Sequence, residues 1–337
     1  MSIRALVLAT AAVVAGLGIG VHAADAKARS GAFLALYDTP DMHVANATRS
    51  AGKDLGSQLR LCATREAPAP AAANTNSTAE PAKIFDNLYF IGIPGVSSWA
   101  VTTSDGIIVI DSLDNPREAQ TYIEGGLRKL GLDPAQIKYV IITHAHTDHF
   151  GGAQYLADKF HATLVMSETD WGTMARIQPP LVPNPNRGPT PKRGTGVPDG
   201  FRLTLGDTTI EMVQTPPHTP GAISLIIPIK DGNQRHVGGL WGGIGFNFPQ
   251  TEANYTTYAN SVEKFEAIAK ARGVDVPMAN HSNFDNAFEK IAALKARQPG
   301  QPNPFVLGWD TQARIFDVQE ECALAARARL RQTASAQ

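Results

Sequence analysis

The chain reads Tyr-Val-Ile-Ile-Thr-His-Ala-His-Thr-Asp-His-Phe-Gly-Gly over residues 139–152, so three histidines and one aspartate fall within six positions. The apolar run of residues 140–142 just before them is typical of a buried strand. Imidazole and carboxylate groups suit zinc, whereas structural zinc sites more often recruit cysteine. The chain has only two cysteines, and neither is near this stretch. The sequence therefore predicts an open, catalytic zinc site built on His144, His146, Asp148 and His149.

Two more histidines, His218 and His281, follow strand-like runs later in the chain. Strand ends that meet at one edge of a sheet are where sites assemble, although either histidine alone is a weak signal. With the first stretch they provide five histidines and one aspartate, enough for two zinc ions with three protein ligands each. No role is predicted for the four histidines outside any motif, which are His22, His43, His161 and His236.

Alternating strand and helix patterns surround these residues. Strand-like runs occupy residues 87–93, 99–103, 106–111, 137–143 and 163–166, and again 201–205, 208–214, 222–228, 236–240 and 276–279. Helices are predicted from Asn115-Pro116 to Leu130, over 257–272 with Gly273 as the stop, and over 311–331. The two halves share one order of elements, which predicts an α/β sandwich.

The chain resembles the metallo-β-lactamase superfamily in the pattern His-x-His-x-Asp-His at residues 144–149. The likeness continues through Gly151-Gly152, the turn His218-Thr219-Pro220-Gly221 and His281, and covers roughly residues 83–330. It implies a four-layered αββα sandwich. Within the superfamily the chain looks most like the third subclass of metallo-β-lactamases, exported dizinc enzymes whose ligands are histidines and one aspartate.

The resemblance also implies how the ligands divide. It places His144, His146 and His218 on the first zinc, and Asp148, His149 and His281 on the second. Asp148 would also orient the attacking nucleophile. Asp111, at the end of a strand-like run, would accept a hydrogen bond from a ligand imidazole, or would only cap the strand end by binding backbone.

The implied activity is hydrolysis of the amide of a β-lactam by a zinc-bound hydroxide, which makes the chain a candidate antibiotic-resistance enzyme. One departure matters: residues 238–246 read Gly-Gly-Leu-Trp-Gly-Gly-Ile-Gly-Phe, where relatives carry an acid, cysteine or serine. The missing aspartate argues against glyoxalase II-like thioesterase and lactonase activities, and the missing serine leaves room for another substrate. The alternatives are a hydrolase of another ester, lactone or amide, and a metal-binding protein without catalysis.

The resemblance implies a small-molecule substrate, and the composition argues against nucleic acid as a partner. The formal net charge is −1 and only 18% of residues are charged, so no nucleic-acid-binding surface is expected. The sequence makes no prediction about oligomeric state.

The N-terminus predicts export. Arg4, an apolar run over residues 5–21 and the small-residue pattern Val21-His22-Ala23 are typical of a cleaved signal peptide at residues 1–23, the alternative being an uncleaved membrane anchor. A periplasmic or secreted protein with no membrane attachment after cleavage is expected. In that compartment Cys62 and Cys322 would pair, or would remain two separate thiols.

Three regions follow from this organisation. Residues 24–82 form an N-terminal extension that ends in an Ala/Pro-rich linker over 67–78, and residues 83–337 form the hydrolase domain. The Pro/Gly-rich segment 178–200 is expected to lack regular structure, as a lid or a solvated loop. Its basic residues Arg187, Lys192 and Arg193 would attract an anionic substrate.

Overall fold

The computed structural model describes residues 38–63, 80–177 and 186–335. The signal peptide predicted at 1–23 and the linker predicted at 67–78 lie outside these ranges. Residues Pro40–Gln337 form one compact unit. Among the described residues, no helix combines the length and the apolar character that a membrane span needs.

The first sheet has seven strands arranged in chain order. They are β1 (Ala82–Lys83), β2 (Leu88–Phe90), β3 (Trp99–Thr103), β4 (Gly106–Ile110), β5 (Ile137–Ile141), β6 (Thr163–Ser167) and β7 (Thr195–Val197). Strands β1 to β4 pair antiparallel, and β4 to β7 pair parallel. The β3–β4 hairpin turns at Gly106, whose φ of +140° is a conformation that favours glycine. The parallel strands place their carboxyl ends at one edge.

The second sheet has five strands in the order β12-β11-β10-β9-β8. They are β8 (Phe201–Leu205), β9 (Thr208–Gln214), β10 (Ile223–Asp231), β11 (Gln234–Trp241) and β12 (Val276–Ala279). All pairs are antiparallel except β11 with β12, which are parallel. A long helix connects these two strands, as a parallel pair requires.

Eight α-helical segments and two 3₁₀ helices complete the described fold. The α-helical segments are α1 (Pro40–Ala51), α2 (Pro116–Glu118, continuing through Ala119–Glu124 and Gly125–Lys129), α3 (Thr147–Phe150), α4 (Ala153–Phe160), α5 (Glu168–Met174), α6 (Glu252–Arg272), α7 (Ala287–Ala296) and α8 (Gly308–Ser335). The 3₁₀ helices are Gln58–Cys62 and Pro134–Gln136. Helix α2 begins where predicted, because the Asn115 side chain accepts from the backbone N–H of Glu118 and Pro116 takes the first position. Its middle segment is π-helical. Helix α6 ends as predicted at Gly273, whose φ is +72°.

The layers follow from the alternation of side chains along the strands, in which successive residues face opposite sides of the sheet. Leu88, Phe90 and Trp99 face the second sheet, and they pack in one core with Leu225 and Ile227. The opposite face of the first sheet packs on α2, α4 and α5, and that of the second sheet on α1, α6 and α8. Both sheets are therefore covered on both faces, which confirms the αββα sandwich.

Two sequence predictions differ from the structure. Segment 178–200 is not wholly without regular structure, because β7 extends the first sheet next to β6. A Cβ on Gly194 would lie 2.2 Å from the carbonyl oxygen of Leu164, so glycine is what lets this segment approach the sheet. Helices α5 and α7 were not predicted. Ala287 and Ile291 of α7 fill one end of the core between the sheets.

The N-terminal segment packs against the C-terminal helix. Cys62 and Cys322 form a disulfide, with a Cα–Cα distance of 4.6 Å. The Arg314 guanidinium of α8 pairs with Asp54 and donates to the Ser50 carbonyl. Residues 40–62 thus belong to the layer outside the second sheet, and the compact unit begins well before the domain start predicted at residue 83.

Removal of the disulfide is expected to lower the free energy of unfolding by about 2–5 kcal/mol, since the bond closes a long loop in the unfolded chain. The bonded residues are separated by 260 positions. Urea unfolding of the double variant Cys62→Ser, Cys322→Ser measures the loss. Reductant should bring the wild type down to the variant's stability and leave the variant unchanged. A wild type that is insensitive to reductant would contradict this expectation.

Candidate metal centre

Ends of strands from both sheets supply the six predicted ligands. The loop with His144, His146, Asp148 and His149 leaves the end of β5 and runs into α3. His218 lies in the turn between β9 and β10, and His281 follows β12. The structure brings these residues together in two groups of three, within each of which the nearest nitrogen or oxygen atoms all lie within 4.8 Å of one another.

The first group contains His144, His146 and His218. The Nε2 atom of His218 lies 3.1 Å from the Nε2 atom of His144 and 3.1 Å from the Nδ1 atom of His146. Tetrahedral zinc with Zn–N bonds of 2.0–2.1 Å would hold its ligand nitrogens about 3.3–3.4 Å apart. The spacing of these imidazoles therefore fits one zinc ion.

The second group contains Asp148, His149 and His281. The two Nε2 atoms lie 3.3 Å apart, and Asp148 Oδ2 lies 3.2 Å from His149 Nε2 and 3.8 Å from His281 Nε2. Nitrogen and carboxylate oxygen ligands at this spacing also fit a zinc ion.

The outer nitrogens of three imidazoles are fixed by acceptors. His149 Nδ1 lies 2.8 Å from Asp111 Oδ2, His218 Nδ1 lies 2.5 Å from the Gly245 carbonyl, and His281 Nδ1 lies 2.7 Å from the Gly95 carbonyl. A carbonyl oxygen can only accept, so the Nδ1 atoms of His218 and His281 carry the proton. In a neutral ring this leaves the Nε2 lone pair directed towards the other ligands, as metal binding requires.

Burial keeps most of these imidazoles neutral. It lowers the pKa of His144, His146 and His281, and it lowers the pKa of His218 to about 3. A neutral imidazole has a lone pair for a metal and needs no deprotonation first.

His149 and Asp148 form a charged pair instead. Burial opposes the charge on His149, but the carboxylates of Asp111 and Asp148 outweigh it and raise the pKa of His149 to about 10. Burial likewise opposes ionisation of Asp148, but its hydrogen bond and attraction to His149 lower the pKa of Asp148. A metal at the second group therefore displaces a proton from His149.

Asp111 combines both of the roles considered for it. Its Oδ1 accepts from the Thr143 backbone N–H at 2.8 Å, and its Oδ2 accepts from the Thr143 hydroxyl at 2.9 Å as well as from His149. The residue is fully buried, and its φ of +59° lies in the left-handed region, which is strained for a residue other than glycine. Asp111 thus fixes both the start of the ligand loop and the ring of His149.

We expect Asp111→Asn to weaken zinc binding at the second group by about 10–100-fold, because asparagine replaces one of the two acceptor oxygens by an NH₂ group that can only donate. Titration against a competing chelator measures the change. Asp275→Asn is the matched control, since the Asp275 carboxylate also lies 2.6 Å from a histidine Nδ1, that of His236, outside the two groups. Equal zinc affinities in the two variants would contradict the role given to Asp111.

Asp170 is a structural partner of the site that the sequence analysis missed. It is fully buried, and it accepts from the Ala145 N–H at 3.0 Å, the Gly221 N–H at 2.8 Å and the Thr219 hydroxyl at 2.5 Å. One carboxylate therefore joins the loop of residues 144–149 to the turn that carries His218. The available signal was the pattern Ser-x-x-Asp at residues 167–170, since Ser167 caps α5 by accepting from the N–H of Asp170.

The glycines at 242 and 243 have a packing reason. A Cβ on Gly242 would lie 1.7 Å from the Ile223 carbonyl oxygen, and a Cβ on Gly243 would lie 2.6 Å from the Cβ of His218. The backbone passes too close to β10 and to a predicted ligand for a side chain to fit. Backbone groups provide the polar contacts here: the Gly242 carbonyl accepts from Asn280, and the Gly245 carbonyl accepts from His218.

The histidines without a predicted role have other positions. His43 lies 2.6 Å from Glu321, His236 pairs with Asp275, and His161 ends α4 in a left-handed conformation. None of the three belongs to either group of possible ligands. His22 lies outside the described residues.

Comparison with known proteins finds a family model and two curated relatives that are similar to parts of this chain. The family model described as the metallo-beta-lactamase superfamily matches residues 91–232. Two curated relatives match shorter stretches: the uncharacterized protein YobT of Bacillus subtilis (strain 168), 35% identical over 98 residues, and the hydroxyacylglutathione hydrolase of Acidiphilium cryptum (strain JF-5), 28% identical over 91 residues. Each match covers 27% of this chain, and they span 41% and 31% of those relatives.

Solved structures match much more of the chain. BJP-1, a subclass B3 metallo-beta-lactamase of Bradyrhizobium japonicum, is 27% identical with a TM-score of 0.61, over 80% of this chain and 100% of that one. FEZ-1, the metallo-beta-lactamase from Legionella gormanii, is 23% identical with a TM-score of 0.63, over 76% of this chain and 97% of that one. At this level of identity the likeness is one of fold alone.

Proposed function

We propose, from the premise that this chain belongs to the metallo-β-lactamase superfamily, that it is an exported zinc-dependent hydrolase that opens the amide ring of β-lactams. Two zinc ions per chain would bind, one at His144, His146 and His218 and one at Asp148, His149 and His281. The mature protein would act in the periplasm or outside the cell on a small-molecule substrate.

One observation carries the proposal. Five imidazoles and one carboxylate from both sheets converge in two groups, and carbonyl or carboxylate acceptors fix the outer nitrogens of three of the rings. Burying several neutral imidazoles with their lone pairs directed at one another is unfavourable without a cation between them. The arrangement is therefore best explained as a preformed metal centre.

The residues around this centre would divide the chemistry. Zinc bound here would polarise the substrate carbonyl and lower the pKa of a bound water towards roughly 7. Asp148, which is ionised and only partly buried, would accept a hydrogen bond from that water and orient it. Asp111 and the Gly95 and Gly245 carbonyls would hold the imidazoles in place, so that little reorganisation is needed during reaction.

The choice of a β-lactam rests on the likeness to BJP-1, which extends over that whole chain at 27% identity. The absence of cysteine from both ligand groups agrees with the subclass expected from the sequence. A role in antibiotic resistance would follow from this activity in the periplasm.

A second candidate is a hydrolase of another ester, lactone or amide. Glycines at 242 and 243 leave no side chain where the superfamily pattern expects a polar one, and one matching relative is a hydroxyacylglutathione hydrolase. A substrate that needs no polar side chain at this position would suit such a site.

A substrate panel on zinc-loaded protein separates the candidates. Penicillins, cephalosporins and carbapenems are compared with lactones and aryl esters at equal enzyme concentration. Turnover of at least one lactam class, lost on chelation and restored by zinc, is the expected result. Ester or lactone turnover without lactam turnover would replace the proposal with the second candidate. Normal zinc content without any turnover would indicate a metal-binding protein that lacks catalysis.

A further inference from the structure

A cleft of about 1200 Å³ lies between the N-terminal segment, α8 and the loop that follows β11. Gly245, whose carbonyl holds His218, lies in its wall, and so does Phe284, whose N–H donates to the His281 carbonyl at 3.0 Å. The cleft therefore borders residues in direct contact with both groups of possible ligands. Its volume is sufficient for a small organic ligand.

The charged side chains that line this cleft are positive. Arg60 of the N-terminal segment and Arg329 of α8 line it, and the lining residues that the structure describes include no aspartate or glutamate. Both arginines are partly buried, so their attraction to an anion is less screened than on an open surface. A guanidinium matches the two oxygens of a carboxylate in a bidentate geometry.

Aromatic side chains supply the remainder of the lining. Phe246 and Tyr255 pack edge to face with ring centroids 5.3 Å apart, and Phe284 contributes a third ring. A ligand with an apolar group and a carboxylate would therefore contact the aromatic rings with its apolar group and the arginines with its carboxylate.

The disulfide fixes the two cationic walls relative to each other. Cys62 lies two positions after Arg60, and Cys322 lies two turns before Arg329 on α8. Arg329 Nη2 also donates to the Cys62 carbonyl at 3.4 Å. The N-terminal segment thus contributes to the cleft itself and is held there covalently.

We propose that this cleft is the specificity subsite for a carboxylate attached to an apolar part of the substrate, and that Arg60 and Arg329 bind that carboxylate. The inference rests on the proposed hydrolase function and deepens it. It assigns recognition of the anion to one arginine of the N-terminal segment and one of the C-terminal helix α8.

A binding experiment tests the subsite independently of turnover. Zinc-loaded wild type, R60Q, R329Q and R329K are titrated by calorimetry with 4-phenylbutanoate and with its neutral amide. R235Q is the matched control, because Arg235 lies exposed on the β10–β11 hairpin. Removing either arginine should raise the Kd of the carboxylate by about 5- to 50-fold, as expected for a charged hydrogen-bonded pair. R329K should show a smaller loss, R235Q none, and the amide should bind equally to all.

Equal binding of the carboxylate to R60Q, R329Q and the wild type would overturn the inference. Thermal melts show whether each variant folds. If R329Q does not fold, the comparison of R60Q and R329K with the wild type still tests the inference. In turnover, the two charge-removing variants should raise KM for a carboxylate substrate but not for its methyl ester, with kcat within about twofold. If the wild type turns over no substrate while the probe binds as expected, the proposed function fails and the subsite stands.

Discussion

Replacement of His146 by alanine is expected to lower kcat/KM by about 10³-fold or more, since loss of a ligand removes charge stabilisation at the reacting carbonyl. His146 Nδ1 lies 3.1 Å from His218 Nε2, and the residue is only partly buried at the start of α3. Its hydrogen-bond partner His218 is another predicted ligand, so the free energy of unfolding of the metal-free variant should lie within about 1 kcal/mol of that of the wild type. Steady-state kinetics and urea unfolding measure the two effects.

The matched control for this variant is His161→Asn. His161 is exposed and adopts a left-handed conformation at the end of α4, which asparagine tolerates. This control should retain full activity and zinc content. Near-normal turnover by His146→Ala would remove His146 from the proposed machinery.

Replacement of Asp148 by asparagine is expected to have an effect of similar size, about 10²–10³-fold on kcat. The change keeps the shape and removes the negative charge that lies 3.2 Å from His149 Nε2. A neutral amide is a weaker zinc ligand and cannot accept from a water at both terminal atoms. Zinc content should fall towards one ion per chain, because only the second group is changed.

Asp114→Asn is the control for charge alone. Burial and the nearby negative charge of Asp148 raise the pKa of Asp114, but Asp114 belongs to neither ligand group. Its replacement removes one charge from the same region and should leave kcat within about fivefold of the wild type. Equal losses in the two variants would mean that the net charge of the region, and not zinc ligation by Asp148, controls activity.

Much of the site could be predicted because its residues form local patterns. The run of ligands at 144–149 follows an apolar strand, and no common structural motif needs three imidazoles and a carboxylate in six positions. His218 and His281 could be added because strand ends meet at one edge of a sheet. The structure places both side chains beside this run, as that argument expects.

The remaining features depend on contacts between distant segments. Asp170 looks in sequence like an ordinary helix-cap residue, and its bonds to Ala145 and Gly221 exist only once two loops meet. The glycines at 242 and 243 look like a lost polar residue, and only the approach of Ile223 and His218 shows why no side chain fits. Neither contact produces a periodic pattern in the local sequence, so neither could be predicted from it.

The role of the N-terminal segment was also hidden. Its composition suggested an extension ahead of the domain, yet Ser57 and Gln58 both donate to the carbonyl of Phe284, three positions after His281. The pairing of Cys62 with Cys322 was predicted only as one of two alternatives, because pairing depends on distance in the fold.

Zinc content is the most direct test of the central claim that the two groups of side chains bind two cations. The wild type is reconstituted with excess zinc, freed of unbound metal and analysed by inductively coupled plasma mass spectrometry. The account predicts about two zinc ions per chain, with the values for His146→Ala and Asp148→Asn lower. Less than about one zinc ion per chain in folded wild type would contradict it.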